Sequence, residues 1–236
     1  MPRDPDTAIG GAAEGFPSTQ LTLLEAVSAS GTVAEQALES VAAIYWKPVY
    51  RFVRFKFGKS NEEAKDLTQE FFASALERGF FGKFDPARAS FRTYLRMAVE
   101  RFAANEWAAD HRLKRGGGIV FEPEELAETA ASESPEAIFE CEWRRQVFAL
   151  ALDDLRAHAD AAGKHVQWRV FEAYDLADDP RPSYADLAIR HGIPETSVTN
   201  YLAWARRMLR GFVAARLRGV TAGPGEAREE MRRLWN

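Results

Sequence analysis

Apolar residues recur at three- and four-residue intervals through most of the 236-residue chain, and no alternation of apolar and polar residues runs long enough to build a strand. That periodicity restricts the chain to helices, so an all-α fold is expected. Ala34, Leu38, Val41, Tyr45, Phe52 and Phe55 line one stripe, interrupted at Pro48, where an amphipathic helix should kink. "SNEEAKDLTQEFFASALERG" opens with Ser60 and Glu63 at capping-box spacing, keeps Ala64, Leu67, Phe71 and Ala75 on one face, and stops at Gly79. After a turn containing Gly82 and Pro86, Ser90 can cap a third helix that turns Phe91, Leu95, Ala98 and Phe102 inward and ends near "KRGGG".

Residues 116–140 hold a run of glycines, two prolines and an acidic strip, which reads as a flexible linker between two helical domains, 21–115 and 141–219. Residues 1–20, rich in Gly, Ala and Pro, read as a disordered extension, and 220–236 as a tail. In the second domain, helical stretches are expected at Trp143–Ala157 and Val166–Leu176, with Trp168, Phe171 and Tyr174 in the core. "PSYADLAIRHGIPETSVTNYLAWARRMLRGFVAARL" follows.

Charge is distributed unevenly along this plan. The chain is net −4, but residues 41–115 are net +6 and residues 116–140 carry seven acids and no base. A basic block beside an acidic strip suits a nucleic-acid surface next to a segment that avoids or imitates nucleic acid. Solvated helix faces joined by an acidic linker would give the same distribution.

Two stretches carry more specific signals. Ala188, Gly192, Ile193, Val198 and Leu202 stand where a helix-turn-helix needs a small residue at the helix crossing, a turn glycine and three apolar anchors. Beyond that turn, Thr196, Ser197, Thr199, Asn200 and Tyr201 can hydrogen-bond bases or phosphates, and Arg206, Arg207 and Arg210 can neutralise backbone charge. In "FDPARASFRTYLRMAVERFAANEW", arginines alternate with aromatic rings. A base drawn out of a duplex loses stacking, and such a surface can offset that loss. Phe91 and Phe102 fall on the inward face, which leaves Phe84 as the better aromatic candidate.

"AKDLTQEFF" ahead of that stretch, followed by an acidic linker and the helix-turn-helix, closely resembles the extracytoplasmic-function (ECF) sigma factors of bacterial RNA polymerase. The resemblance covers about 41–115 and 143–216. It implies that the first domain corresponds to the family's second conserved region and the second domain to its fourth. The helix from Asn61 would then dock on the clamp helices of the largest polymerase subunit through Glu63, Asp66, Gln69 and Glu70, and the second domain would meet the flap of the second-largest subunit. Carboxylates spaced along one helix face suit a basic coiled-coil partner.

By the same resemblance, Phe84, Arg88, Ser90, Arg92, Tyr94, Arg96, Arg101, Asn105, Arg112, Lys114 and Arg115 would hold the melted minus-ten element. Thr196, Ser197, Thr199, Asn200, Tyr201, Arg206 and Arg207 would read the duplex minus-thirty-five element. The linker resembles the family's connector, which threads the polymerase cleft. Lys65 stands where the family usually has an acid, Arg101 where it has asparagine, and Thr199, Tyr201 and Trp204 where basic residues are common. Thr68 lies on the polymerase-binding helix, so a kinase acting there, or an anti-sigma factor, would be a further partner.

Other function classes lack their residues. His111, His158, His165 and His191 show no metal-ligand spacing with each other or with Cys141, and Gly116–Gly118 is not followed by the Lys-Ser/Thr of a phosphate loop. No catalytic residue, metal or cofactor is expected. The longest apolar run, Val147–Leu152, is far short of the ~20 residues that cross a bilayer, and the first residues have neither a basic leader nor an apolar run, so the cytoplasm is expected. The rival reading is a stand-alone helix-turn-helix regulator that binds duplex DNA without polymerase.

Overall fold

The computed structural model describes residues 32–85, 87–113, 134–221 and 223–235, with side chains of 32–37 and 107–113 set aside. Among them are eight α-helices and no strand: α1 (Thr32–Phe57), α2 (Asn61–Glu77), α3 (Phe91–Leu113), α4 (Pro135–Ala161), α5 (His165–Asp175), α6 (Tyr184–His191), α7 (Glu195–Gly219) and α8 (Pro224–Trp235). One 3-10 turn, Phe81–Lys83, lies between α2 and α3. Residues 1–20 lie outside the described residues, as does most of the expected linker.

Local chemistry sets the helix ends. Ser60 Oγ accepts from Glu63 N while Glu63 Oε2 accepts from Ser60 N, so the expected capping box closes α2 at its start. Pro48 does not end α1, which is one helix from Thr32 to Phe57. A proline there removes one backbone bond, but Tyr45, Val49 and Phe52 beside it are buried, and packing holds the helix together.

Two expectations about segment boundaries are corrected. The linker was expected to run through residue 140, yet α4 begins at Pro135, capped by Ser134 Oγ, which accepts from Ala137 N. Proline in the first helical turn loses no helix bond, because the first amides have no partner within the helix. The tail from Val220 is likewise not an appendage: Pro224–Trp235 is a helix whose Met231 and Leu234 pack on the core.

That core is the reason the two expected domains form one body. α4 lies along α1, bringing Phe139 to 5.9 Å from Phe52 in an edge-to-face pair, with Trp143 and Val147 buried in the same cluster as Phe71 of α2 and Phe91 of α3. Val213 and Leu217 of α7 join it. Polar cross-links follow the seam: Gln146 Nε2 donates to the Ala43 carbonyl at 2.8 Å, and Lys56 Nζ bridges Glu100 at 2.9 Å and Glu136 at 3.0 Å. The far half of α4 supplies Leu155 and Ala159 to a second cluster with Trp168, Phe171, Leu187, Val198 and Leu202. A fork from Arg216 to Asp154, at 2.6 and 2.8 Å, ties α7 to α4 between the two clusters.

Candidate nucleic-acid interface

Burial of Ala64, Leu67, Phe71 and Ala75 turns the opposite side of α2 to solvent. Glu63, Asp66, Gln69 and Glu70 all stand exposed on the helix. Glu63 already serves the capping box, and Lys65, the departure from the family pattern, reaches back to Glu62 at 2.8 Å, where that carboxylate raises the lysine's affinity for its proton. Thr68 is on the other side. It is fully buried, and its Oγ1 donates to the Ala64 carbonyl at 2.7 Å, so the hydroxyl expected as a phosphorylation site is not presented to a kinase in this conformation.

The loop into α3 is an aromatic stack. Tyr94 lies flat on Phe80 with ring centroids 4.5 Å apart, and its hydroxyl donates to the Phe80 carbonyl at 3.0 Å. Burial pushes that phenol up from its ordinary value. Phe84 sits half-buried with its ring edge-on to Phe91 at 5.3 Å. Ser90 Oγ accepts from Thr93 N at 3.3 Å and so starts α3. As expected, Phe91 is fully buried, and Phe102 is half-buried against Phe71 at 5.7 Å.

Arginines of this stretch separate into two sets. Arg88 is 86% exposed and touches Asp85 at 3.2 Å, and Arg101 and Asn105 are exposed on α3. Met97, 46% exposed, falls at four-residue spacing before Arg101 and Asn105, making one accessible stripe. Sequence reading missed Met97, although the same spacing identifies it. Arg96 instead faces Glu136 at 3.7 Å, and Arg92, expected to track phosphates, is buried between α4 and α8. In this conformation its guanidinium is held by Glu140, Glu230 and the Trp143 ring. Lys114 and Arg115 lie outside the described residues, as does the side chain of Arg112.

The second candidate surface is built by two caps and a turn. Ser183 and Asp186 form a capping box at the start of α6, which lowers the Asp186 pKa through the hydrogen bonds from Ser183. Gly192 takes a left-handed conformation (φ 63°), so that Gly192, Ile193 and Pro194 alone join α6 to α7. Leu187, Val198 and Leu202 are buried beneath. Thr196, Thr199, Asn200 and Arg207 are exposed at and after the start of α7; Ser197 and Tyr201 are half-buried, Tyr201 against the second cluster. Arg206 is spent within the protein: its Nε and Nη2 each donate to an Asp175 carboxylate oxygen at 2.8 Å. Trp204 packs inward, 6.2 Å from His158, with Lys164 Nζ 5.1 Å from its ring centroid.

No group of three or more His, Cys, Asp and Glu side chains placed to hold a metal exists among the described residues, and no described helix is long and apolar enough to cross a membrane. Residues 44–113, spanning α1 to α3, match the family model for Sigma-70 region 2. No curated protein and no solved structure matches the chain.

Proposed function

We propose that this chain, which carries a sigma-70 region 2 in residues 44–113, is a promoter-specificity subunit of the ECF type that works on bacterial core RNA polymerase in the cytoplasm. The region 2 match is the observation that carries the reading. A sigma-factor role in promoter recognition follows from that module, and the remaining steps follow from what lies exposed around it.

Asp66, Gln69 and Glu70, with Glu63 at the cap, offer an acidic helix face to the polymerase clamp. The stripe Met97, Arg101 and Asn105 meets the melted non-template strand: the arginine neutralises phosphate while the amide and thioether contact bases. Arg88, on the exposed loop, extends the basic surface. Thr196, Thr199, Asn200 and Arg207 at the start of α7 approach the duplex minus-thirty-five element through its major groove. The chain has no catalytic task of its own in this scheme; the polymerase supplies the chemistry and the chain supplies sequence choice.

A pull-down of core polymerase by the full chain, followed by transcription from a promoter library, tests this. Retention of polymerase and enrichment of a promoter class are expected. Tight, sequence-specific duplex binding by the free chain, with no retention of polymerase, would establish the stand-alone regulator instead.

A further inference from the structure

Arg92 lies two residues into α3, inside the stretch assigned above to single-stranded DNA, and yet it is only 8% exposed. Its guanidinium carbon is 4.2 Å from the centroid of the Trp143 ring. Nη1 donates to Glu230 Oε2 at 2.9 Å, and Nε lies 3.1 Å from Glu140 Oε2. These partners are remote in sequence: Trp143 and Glu140 come from α4, and Glu230 from α8, 138 residues away. Nε has no aligned hydrogen-bond acceptor, so the buried guanidinium keeps one donor unspent.

Helix α8 is seated over this point. Met231 and Leu234 pack on the first core, and the Trp235 ring lies 5.2 Å from Phe148. Glu230 is 3% exposed. Between α8 and the residues leading into α3 there remains an open cleft of about 430 Å³, with Ala89 and Ser90 on one side and Glu226 and Glu229 on the other. A charge-balanced helix thus covers the entry to a basic, aromatic segment, with its Glu230 turned inward onto Arg92 and Glu226, Glu229 and Arg233 lining the cleft.

Carboxylate and phosphate are alternative ligands for one guanidinium, bound through the same charge-assisted N–H donors. Docking α8 also takes the Glu230 carboxylate out of water, and that burial pushes its pKa up while Arg92 pulls it back. For Glu230, pairing with Arg92 therefore offsets only part of the cost of leaving water, which suits a contact that opens.

We propose that α8 is an intramolecular latch in which Glu230 stands at Arg92 in place of a DNA phosphate, and that a single DNA strand entering along residues 87–90 and the start of α3 exchanges with it. This rests on the strand-capture reading above, and the test separates the two. The full chain and its variants are titrated against a short, labelled single-stranded DNA of mixed sequence, followed by fluorescence anisotropy, with hydrogen exchange of residues 224–235 recorded with and without the DNA.

Glu230→Gln should bind the strand about tenfold more tightly, because a larger fraction of molecules is open. Glu229→Gln removes the same charge from the same helix and the same cleft, but its carboxylate meets Arg232 and Arg233 and not Arg92, so it should tighten binding by less than about twofold. Glu230→Asp keeps the charge and shortens the arm; it should fall between, and it carries the test if the glutamine variant melts near room temperature. In the wild type, DNA should speed exchange of the α8 amides. Equal affinities for the wild type and both Glu230 variants, or the same gain from Glu229→Gln, overturn the latch and leave strand capture standing. Absence of any strand binding in every variant overturns strand capture, and the latch with it.

Discussion

The first turns of α3 and of α7 were expected to meet DNA, but they are built differently. At α7 the polar residues stand outside a small apolar cluster: Thr196, Thr199 and Asn200 are exposed while Val198 and Leu202 hold the helix in place. At α3 the equivalent polar residue, Arg92, is folded into the core between Trp143 and Glu230. One surface is ready for a ligand as it stands. The other is shared with α4 and α8, so its stability and its availability are coupled.

That coupling is broken most severely at Trp143, which is 1% exposed and packs under Arg92. Trp143→Ala should cost about 3–5 kcal/mol, with a buried guanidinium losing its ring. Because α4 serves both clusters, urea unfolding should remain one transition moved to lower denaturant. Two transitions, with the second cluster unaffected, would show that the clusters are independent.

Gly192→Ala sharpens the other side of the comparison. Added Cβ atoms meet nothing within 4 Å, so the cost is that of the left-handed backbone alone, about 1–2 kcal/mol. Thermal melting should register that loss, and duplex binding should fall with it as α7 shifts against α6. An unchanged melting temperature would mean the turn tolerates a side chain.

The smallest effect lies on the α1–α4 seam. Lys56, and then the remaining partners including Arg96, holds the Glu136 carboxyl below its ordinary 4.5. A lowered folded-state pKa gives stability that is present above the ordinary value and is lost as pH falls through the lowered one. Glu136 is 39% exposed, so screening limits the contribution to less than about 1 kcal/mol. The melting temperature of Glu136→Gln should lie slightly below wild type near neutral pH, and the gap should close in acid below the carboxylate range. A gap that widens in acid would contradict this sign.

Signals carried by neighbours within one helix or turn were legible in the sequence: Ser60 with Glu63, the glycine at 192, and the inward stripe of Phe91, Leu95 and Phe102. What was not legible depends on distance along the chain. Ser134-Pro135 reads as linker in the sequence because proline usually breaks helices, although at a first turn it starts one. α8 was hidden in a charge-balanced tail in which Ala227, Met231, Leu234 and Trp235 are the few apolar residues at helical spacing. Arg92 read as a phosphate contact because its neighbours in sequence are basic and aromatic, while the acids that claim it come from α4 and α8. Thr68 read as surface because threonine is polar, and the local bond to Ala64 that makes its burial tolerable has no sequence signature.

The central claim is a division of labour, with α3 holding a melted strand and α7 reading duplex. It is tested most directly with polymerase reconstituted on the full chain, using a promoter selected from a random library and probed as two fragments, the upstream duplex and the downstream single strand. Asn200→Ala should lose about 1–3 kcal/mol on the duplex fragment and nothing on the strand. Asn105→Ala should show the opposite pattern, weakening the strand and sparing the duplex. Both residues are exposed, so neither substitution disturbs the core. Equal losses by both variants on both fragments would contradict the account.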